Sequence, residues 1–579
     1  MVDVLSTNIT SPLGFTTEQN YQTVRSGSSA LKRYEGLWGL PEPFAASLFS
    51  EGQRAELAIS GYTFFESLAI RSAREALSYI QLDTATSKVV LILSTTKGDI
   101  GSYPSDAARA IAKALGVTTT PIVVCNACVS GLSAQLLADR LLSAGFYDHA
   151  IVVGAEVQSK FIVAGFQSLK AVSEEPCRPF DIERNGLNPG EAAATIVYTA
   201  PSLNPSPEEE GRIHCEESLP PRGEVWRGAA WHLVDGATCN DAYHNVSPSP
   251  QGDGCLRAIE AVMEGRDKSL LATVCVHGTA TLYNDQMESK AIERAGLSDI
   301  PLSALKGYYG HTMGAAGVLE TILTMRATDD GIVLPSKGFT EPGVSGMVSI
   351  SGMPQKTDKR AFLKIMSGFG GCNVAALYAK DPIQIKKSIK GEWSKTKTVR
   401  ISSEDGESLT DIYKEQITNY PKFYKMDILS RLAFVAAEKA LSNSPLKDPS
   451  RPPLKGEEFS LPLREGWGGS FILFNHSSSI VSDRQFLSTI SDAANFFPSP
   501  SVFVYTLPNI AAGEVAIRHH LTGETSFYIL PEKDEALMRQ ILEASLCGTN
   551  ATTAISGWVD AESETSYECE LSTFDVKSE

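Results

Sequence analysis

The stretch V-V-C-N-A-C-V-S-G, Val123–Gly131, decides how this chain is read. Val123 and Val124 close the apolar run I-V-V. From Val129 the pattern turns helical, with Leu132, Leu136, Leu137 and Leu141 on one side and Gly145 as the stop. Val89–Leu93 and Ile151–Val153 lie before and after it as buried strands. That alternation marks an α/β domain with mostly parallel strands. Cys128 then occupies a sharp strand-to-helix turn, where unpaired N–H groups and the helix dipole favour a thiolate. The small Ala127, Ser130 and Gly131 let backbone and substrate approach closely. Taken alone, these residues leave a nucleophile, a structural core thiol and a redox or metal pair with Cys125 all open. Cys125 ends an apolar run and reads as buried, and the sequence has no second C-x-x-C to complete a four-cysteine zinc site.

The totals narrow the class. The 579 residues suffice for roughly three or four domains. Hydrophobic residues make up 42% and charged residues 21%, values of packed globular domains. A net charge of −17 argues against a nucleic-acid partner, which needs clustered Lys and Arg. No apolar run reaches the ~18 residues of a membrane span, and the opening M-V-D-V-L-S-T lacks a basic leader. Ten scattered cysteines fit reduced thiols, so a cytoplasmic location is expected.

Two histidines are framed unusually. Leu271–Val276 reads as a strand that ends in H-G-T-A-T, placing His277 at the rim of a sheet, where α/β proteins bind ligands. In L-K-G-Y-Y-G-H-T-M-G-A-A-G, Leu305–Gly317, His311 precedes a helix start amid glycines and alanines that leave little side-chain bulk. A Gly-rich turn, I-M-S-G-F-G-G-C-N at Ile365–Asn373, is able to aim backbone N–H groups at an oxyanion. Each His alone suits either function or a satisfied structural role, and the turn alone is an ordinary tight turn.

The chain also repeats itself after a Pro/Glu/Ser-rich excursion at Pro201–Arg222 and a Lys-rich linker around Ile383–Ser402. E-S-L-A-I-R-S-A-R-E-A-L (Glu66–Leu77) is echoed by Asp427–Leu441, and V-V-L-I-L by Phe471–Phe474. A-R-A-I-A-K-A-L-G (Ala108–Gly116) is echoed by Gly513–Gly523, and H-A-I-V-V-G-A-E (His149–Glu156) by Thr553–Glu562. Four echoes in one order point to a duplicated unit.

N-A-C-V-S-G, R-P-F-D-I-E-R-N-G-L-N-P-G-E (Arg178–Glu191), H-G-T-A-T, K-G-Y-Y-G-H-T-M-G-A-A-G and G-F-G-G-C-N occur in the order found in β-ketoacyl-[acyl-carrier-protein] synthases, which residues 1–382 resemble. The resemblance implies a thiolase-like fold of two α/β halves, 1–200 and 201–382, in αβαβα layers. After the linker 383–402 it implies a third, degenerate N-terminal-type half at 403–579. It implies that Cys128 accepts an acyl group and that His277 and His311 promote decarboxylation of a malonyl thioester. Lys306 would pair with Glu288 beside them. Phe369, between Gly368 and Gly370, would contribute to the oxyanion hole with Cys128 and gate the acyl chain. No metal or cofactor is expected, the substrates being phosphopantetheine thioesters on acyl carrier protein. Dimerisation, with itself or with another ketosynthase-like subunit, is expected. Two alternatives are a silent chain-length-factor-type partner and a thiolase-type acyltransferase, the latter invited by Cys372. In the third half the strand Ser526–Leu530 is followed by P-E-K-D-E rather than a cysteine, so that half is expected to be non-catalytic.

Overall fold

The computed structural model describes residues 1–200, 231–381, 383, 393–442, 469–492, 495–546, 551 and 553–576. The excursion at 201–222 lies outside them. Fifteen strands fall into three sets of five. The first set is β1 (Val2–Thr10), β2 (Val89–Ser94), β3 (Ile122–Val124), β4 (His149–Glu156) and β5 (Ala192–Thr199). The second is β6 (His232–Asn240), β7 (Leu271–Cys275), β8 (Pro301–Ser303), β9 (Ala361–Gly368) and β10 (Cys372–Ala379). The third is β11 (Trp393–Ser402), β12 (Ser470–Asn475), β13 (Thr525–Ile529), β14 (Thr553–Ser563) and β15 (Ser566–Val576).

Neighbour order is the same in each set: β1-β5-β4-β2-β3, β6-β10-β9-β7-β8 and β11-β15-β14-β12-β13. The hand of pairing also matches. The β2 strand is parallel to β3 and β4, and β12 is parallel to β13 and β14, while β4–β5 and β14–β15 are antiparallel. Polar detail repeats as well: Glu156 accepts from the N–H and hydroxyl of Thr96, and Asp560 accepts from those of Ser477. The first and third sets join where β13 lies antiparallel to β3, Tyr528 facing Val124 and Ile529 facing Val123. The third unit therefore sits on the free edge of the first. The two share one apolar core, with Leu93 and Val123 from one side and Leu432, Phe471 and Phe527 from the other.

The helices that matter below are α1 (Phe64–Leu77), α2 (Pro104–Leu115), α3 (Ser130–Ser143), α4 (Lys160–Ser168), α5 (Leu282–Arg294) and α6 (Ala316–Asp329). The third unit adds α7 (Ile428–Leu441), α8 (Ile480–Ile490), α9 (Pro500–Tyr505), α10 (Ile510–His519) and α11 (Glu535–Leu546). The four sequence echoes fall on α1 and α7, β2 and β12, α2 and α10, and β4 and β14. Helix α6 is buried almost all round, as a helix in an inner layer must be. It crosses α3 where both are glycine: a Cβ on Gly317 would lie 2.4 Å from Leu132 N, and one on Gly131 would lie 2.7 Å from Gly314 O. The glycines near His311 thus admit neighbouring backbone, which fills the space they leave. This crossing sets the turns before α3 and α6 side by side, and those turns carry Cys128 and His311.

One boundary moves. Of the linker expected at 383–402, residues 384–392 lie outside the described residues, and from Trp393 the chain is strand β11, the outer strand of the third set. Val399 and Ile401 face inward while Thr398 and Arg400 are exposed, the alternation of an edge strand guarded by cations.

Candidate active site

Three ionisable side chains converge between the first and second sets. One sulfur or ring-nitrogen atom from each of Cys128, His277 and His311 lies within 4.8 Å of the other two, and all three residues are buried. The imidazole rings meet edge to face at 4.9 Å. Two strained turns aim these groups. Ala127, just before Cys128, has φ +47, and Met313, two after His311, has φ +44. Left-handed backbone at non-glycine residues survives where surrounding structure enforces it, characteristically at functional sites.

The ring tautomers follow from their partners. Met313 N–H donates to His311 Nδ1 at 3.2 Å, so the ring proton sits on Nε2, which is buried with no partner among the described residues. The Lys306 ammonium lies 3.3 Å from His277 Nδ1 and donates to His277 O at 2.6 Å, which likewise leaves Nε2 of His277 to carry the proton. Burial holds both imidazoles well below their usual pKa, and the Lys306 ammonium lowers them further. They are neutral hydrogen-bond donors at pH 7. The resting thiol differs from expectation. Burial pushes Cys128 up to about 12, against a smaller lowering by Lys306, so it is protonated rather than the thiolate its helix N-terminus favours. Desolvation outweighs the helix dipole here.

Lys306 does not pair with Glu288. Its partner is Glu320 on α6 at 2.7 Å, and Glu320 also receives Lys364 at 2.6 Å. Glu288, on α5, has both oxygens occupied: His277 N–H and Gly278 N–H each donate at 2.7 Å, and Asn284 adds a third bond. Glu288 therefore shapes the His277 loop, while Glu320 pairs with the two lysines beneath it. Burial lifts Glu288 to about 7. Burial also raises Glu156, to about 7, although it accepts from Gly314 N–H as well as Thr96. Glu320 and Glu156 carry no motif of their own, although Glu156 ends a quoted strand.

Cys128, His277 and His311 form the one Cys/His/carboxylate cluster of metal-ligand spacing among the described residues. Two ammonium groups beside it depress the imidazoles, and the same field opposes a divalent cation. The Gly-rich turn of the β9–β10 hairpin stands opposite. A Cβ on Gly368 would lie 3.4 Å from Cys128 N, so Phe369 and Gly370 follow directly past the Cys128 turn. Beside the thiol opens a cavity walled by Ile162, Phe166, Met313 and Phe369, and closed by Phe503, Thr506 and Leu507 of the third unit. At its floor Lys97 is buried and bonded to Asp483 at 2.6 Å, to Ser479 at 3.0 Å and to Thr506 O, all from the third unit. The turn of the third unit equivalent to the Cys128 turn holds Lys533, paired with Glu570, and Asp534, which caps α11.

Comparison with known proteins agrees with this layout. Residues 69–200 match the family described as "Beta-ketoacyl synthase, N-terminal domain" and residues 232–340 its C-terminal domain. The chain is 30% identical over 272 residues to 3-oxoacyl-[acyl-carrier-protein] synthase 2 of Mycobacterium leprae, covering 45% of this chain and 60% of that one. It spans less than two thirds of the length of the curated relatives it matches. Among solved structures, "PfaC Keto synthase-Chain length factor" superposes with TM-score 0.75 at 12% identity over 99% of this chain and 78% of the other. A type II PKS acyl-carrier protein in complex with its ketosynthase gives 0.54 at 19%, over 65% and 98%. These structures share the thiolase-like fold, and the first shares it across the third unit too.

Proposed function

Because this chain belongs to the β-ketoacyl synthase family through residues 69–200 and 232–340, we propose that it catalyses decarboxylative Claisen condensation between an acyl thioester and a malonyl thioester, both delivered on acyl carrier protein. One observation carries the reading: a buried thiol and two neutral imidazoles, each bearing its proton on Nε2, share one reaction volume. Cys128 first exchanges with the incoming acyl thioester, releasing the carrier thiol and forming a Cys128 thioester, with the amides of Cys128 and Phe369 receiving the oxyanion. The proton that leaves Sγ passes to the departing carrier thiolate. Malonyl thioester then binds with its carbonyl oxygen at the two Nε2–H groups. Loss of CO₂ leaves an enolate, and those donors stabilise its charge in a site closed to water. The enolate carbon attacks the Cys128 thioester, forms the new C–C bond and expels Cys128 as thiolate. Lys306, balanced by Glu320, keeps His277 in the donor tautomer and uncharged.

The third unit is non-catalytic in this reading. It takes the place on the β3 edge that a second ketosynthase subunit would take, and it ends the acyl cavity with Phe503. The thiolase alternative needs a second catalytic cysteine, yet Cys372 bonds Thr525 Oγ1 at 3.2 Å and stands outside the Cys128 cluster. The reading is tested by ¹⁴CO₂ release from carboxyl-labelled malonyl-carrier protein. His277→Ala and His311→Ala should each lower it by ~10²-fold or more. Release unaffected by both substitutions disproves the assignment.

A further inference from the structure

Hydrogen bonds from the third unit reach the turns on both sides of Cys128. Phe527 N–H of β13 donates to Asn126 Oδ1 at 2.7 Å, steadying the turn that carries Cys128. On the opposite side, Asn509 Nδ2 donates to Phe369 O at 2.8 Å. Asn509 stands at the N-cap of α10, a position where asparagine ordinarily accepts from the first turn of its own helix. Here it makes no cap bond; it is 1% exposed, and its Oδ1 is buried without a partner among the described residues. The helix thus gives up a stabilising bond so that the side chain can reach the hairpin. The fit is close: a Cβ on Gly370 would lie 2.7 Å from Asn509 Nδ2, and one on Gly513 would lie 2.9 Å from Gly370 Cα. From the other face, Gly370 N–H donates to Asn245 O at 2.7 Å, and Asn245 Nδ2 donates to Glu514 of the same α10 at 2.5 Å.

We propose that Asn509 is a positioning residue for acyl transfer: from a unit with no nucleophile of its own, it fixes the Phe369 turn at the distance the oxyanion requires. This rests on the ketosynthase reading above. The Phe369 carbonyl held by Asn509 and the Phe369 amide belong to consecutive rigid peptide planes, so releasing the carbonyl lets the amide swing away from the Cys128 sulfur.

Two reactions of the same thiol separate this role from simple packing. Transfer from an acyl-carrier-protein thioester passes through an oxyanion, whereas alkylation by iodoacetamide does not; both are followed on the Cys128 peptide by mass spectrometry in the full chain. Asn509→Ala and the isosteric Asn509→Asp, which lacks the donor, should slow acyl transfer by ~10-fold or more while alkylation stays within about two-fold. Asn509→Gln, which keeps an N–H donor, should regain part of the loss. If transfer and alkylation fall together, Asn509 only supports folding and the proposal fails. It fails equally if neither changes. Unmodified protein that alkylates at Cys128 yet never takes an acyl group overturns the ketosynthase reading itself, and this inference with it.

Discussion

Glu320→Gln is the most informative single substitution beneath the site. Glu320 is 3% exposed and lies between Lys306 and Lys364, at 2.7 and 2.6 Å, with these lysines 1% and 0% exposed. The amide keeps the shape but removes the carboxylate charge that pairs with both buried ammonium groups. Breaking a buried pair by neutralising one partner costs about 3–5 kcal/mol, because the stranded charge has no water to return to. Burial pushes the Glu320 carboxyl up, yet the two lysines together hold it below its ordinary value. Its contribution to stability is therefore present above the unfolded carboxyl pKa near 4.5 and is lost as pH falls through the lower folded value. Urea unfolding at pH 7 and at pH 4 is the assay. The variant should be weaker by about 3–5 kcal/mol at pH 7, and the gap should narrow toward acid. Replacing all three residues, Lys306→Met, Glu320→Leu and Lys364→Met, should recover much of the stability, since apolar packing removes the charges together. That triple variant should still lose decarboxylation, because His277 has lost the cation that sets its tautomer. A Glu320→Gln protein as stable as the parent at pH 7 would refute the reasoning.

Phe503→Ala should cost about 3–5 kcal/mol, and by opening the cavity beside Cys128 it should shift the acyl groups found on Cys128 toward longer chains by mass spectrometry. Alkylation of resting Cys128 should keep rising with pH up to at least 10, since burial holds the thiol near 12; a plateau near pH 7 would show a thiolate instead. Glu156, raised from 4.5 to about 7, favours the fold fully below 4.5 and loses that contribution as pH rises through 7. Glu156→Gln should therefore gain about 3 kcal/mol on the parent between pH 4.5 and 8 in chemical denaturation. Removing residues 393–579 strips the β3 edge and half of a shared core, so the truncated chain should aggregate or associate through that edge in size-exclusion chromatography.

The sequence exposes what is local and periodic. The strand-to-helix turn at Cys128, His277 at a strand end, His311 ahead of a helix start and the four echoes are all signals of spacing, and each lands on a matching element of the structure. What it hides is set by contacts distant in the chain. Lys306 has two buried carboxylates within reach of a motif-based pairing, Glu288 and Glu320; only the structure shows that backbone N–H groups already occupy Glu288. The ionisation of Cys128 reads one way from its helix N-terminus and the other way from the burial imposed by α4 and the third unit. Strand β11 was masked by its lysines, which are charges of an exposed edge rather than of a linker. Asn509 is invisible as a site residue because it looks like an ordinary helix cap.

Intact-protein and peptide mass spectrometry after incubation with an acyl-carrier-protein thioester tests the central claim most directly. The account predicts one acyl group per chain, located on Cys128, absent from Cys128→Ala and discharged as a β-ketoacyl product when malonyl-carrier protein is added. An acyl group on another residue, or none on a folded protein, would contradict it.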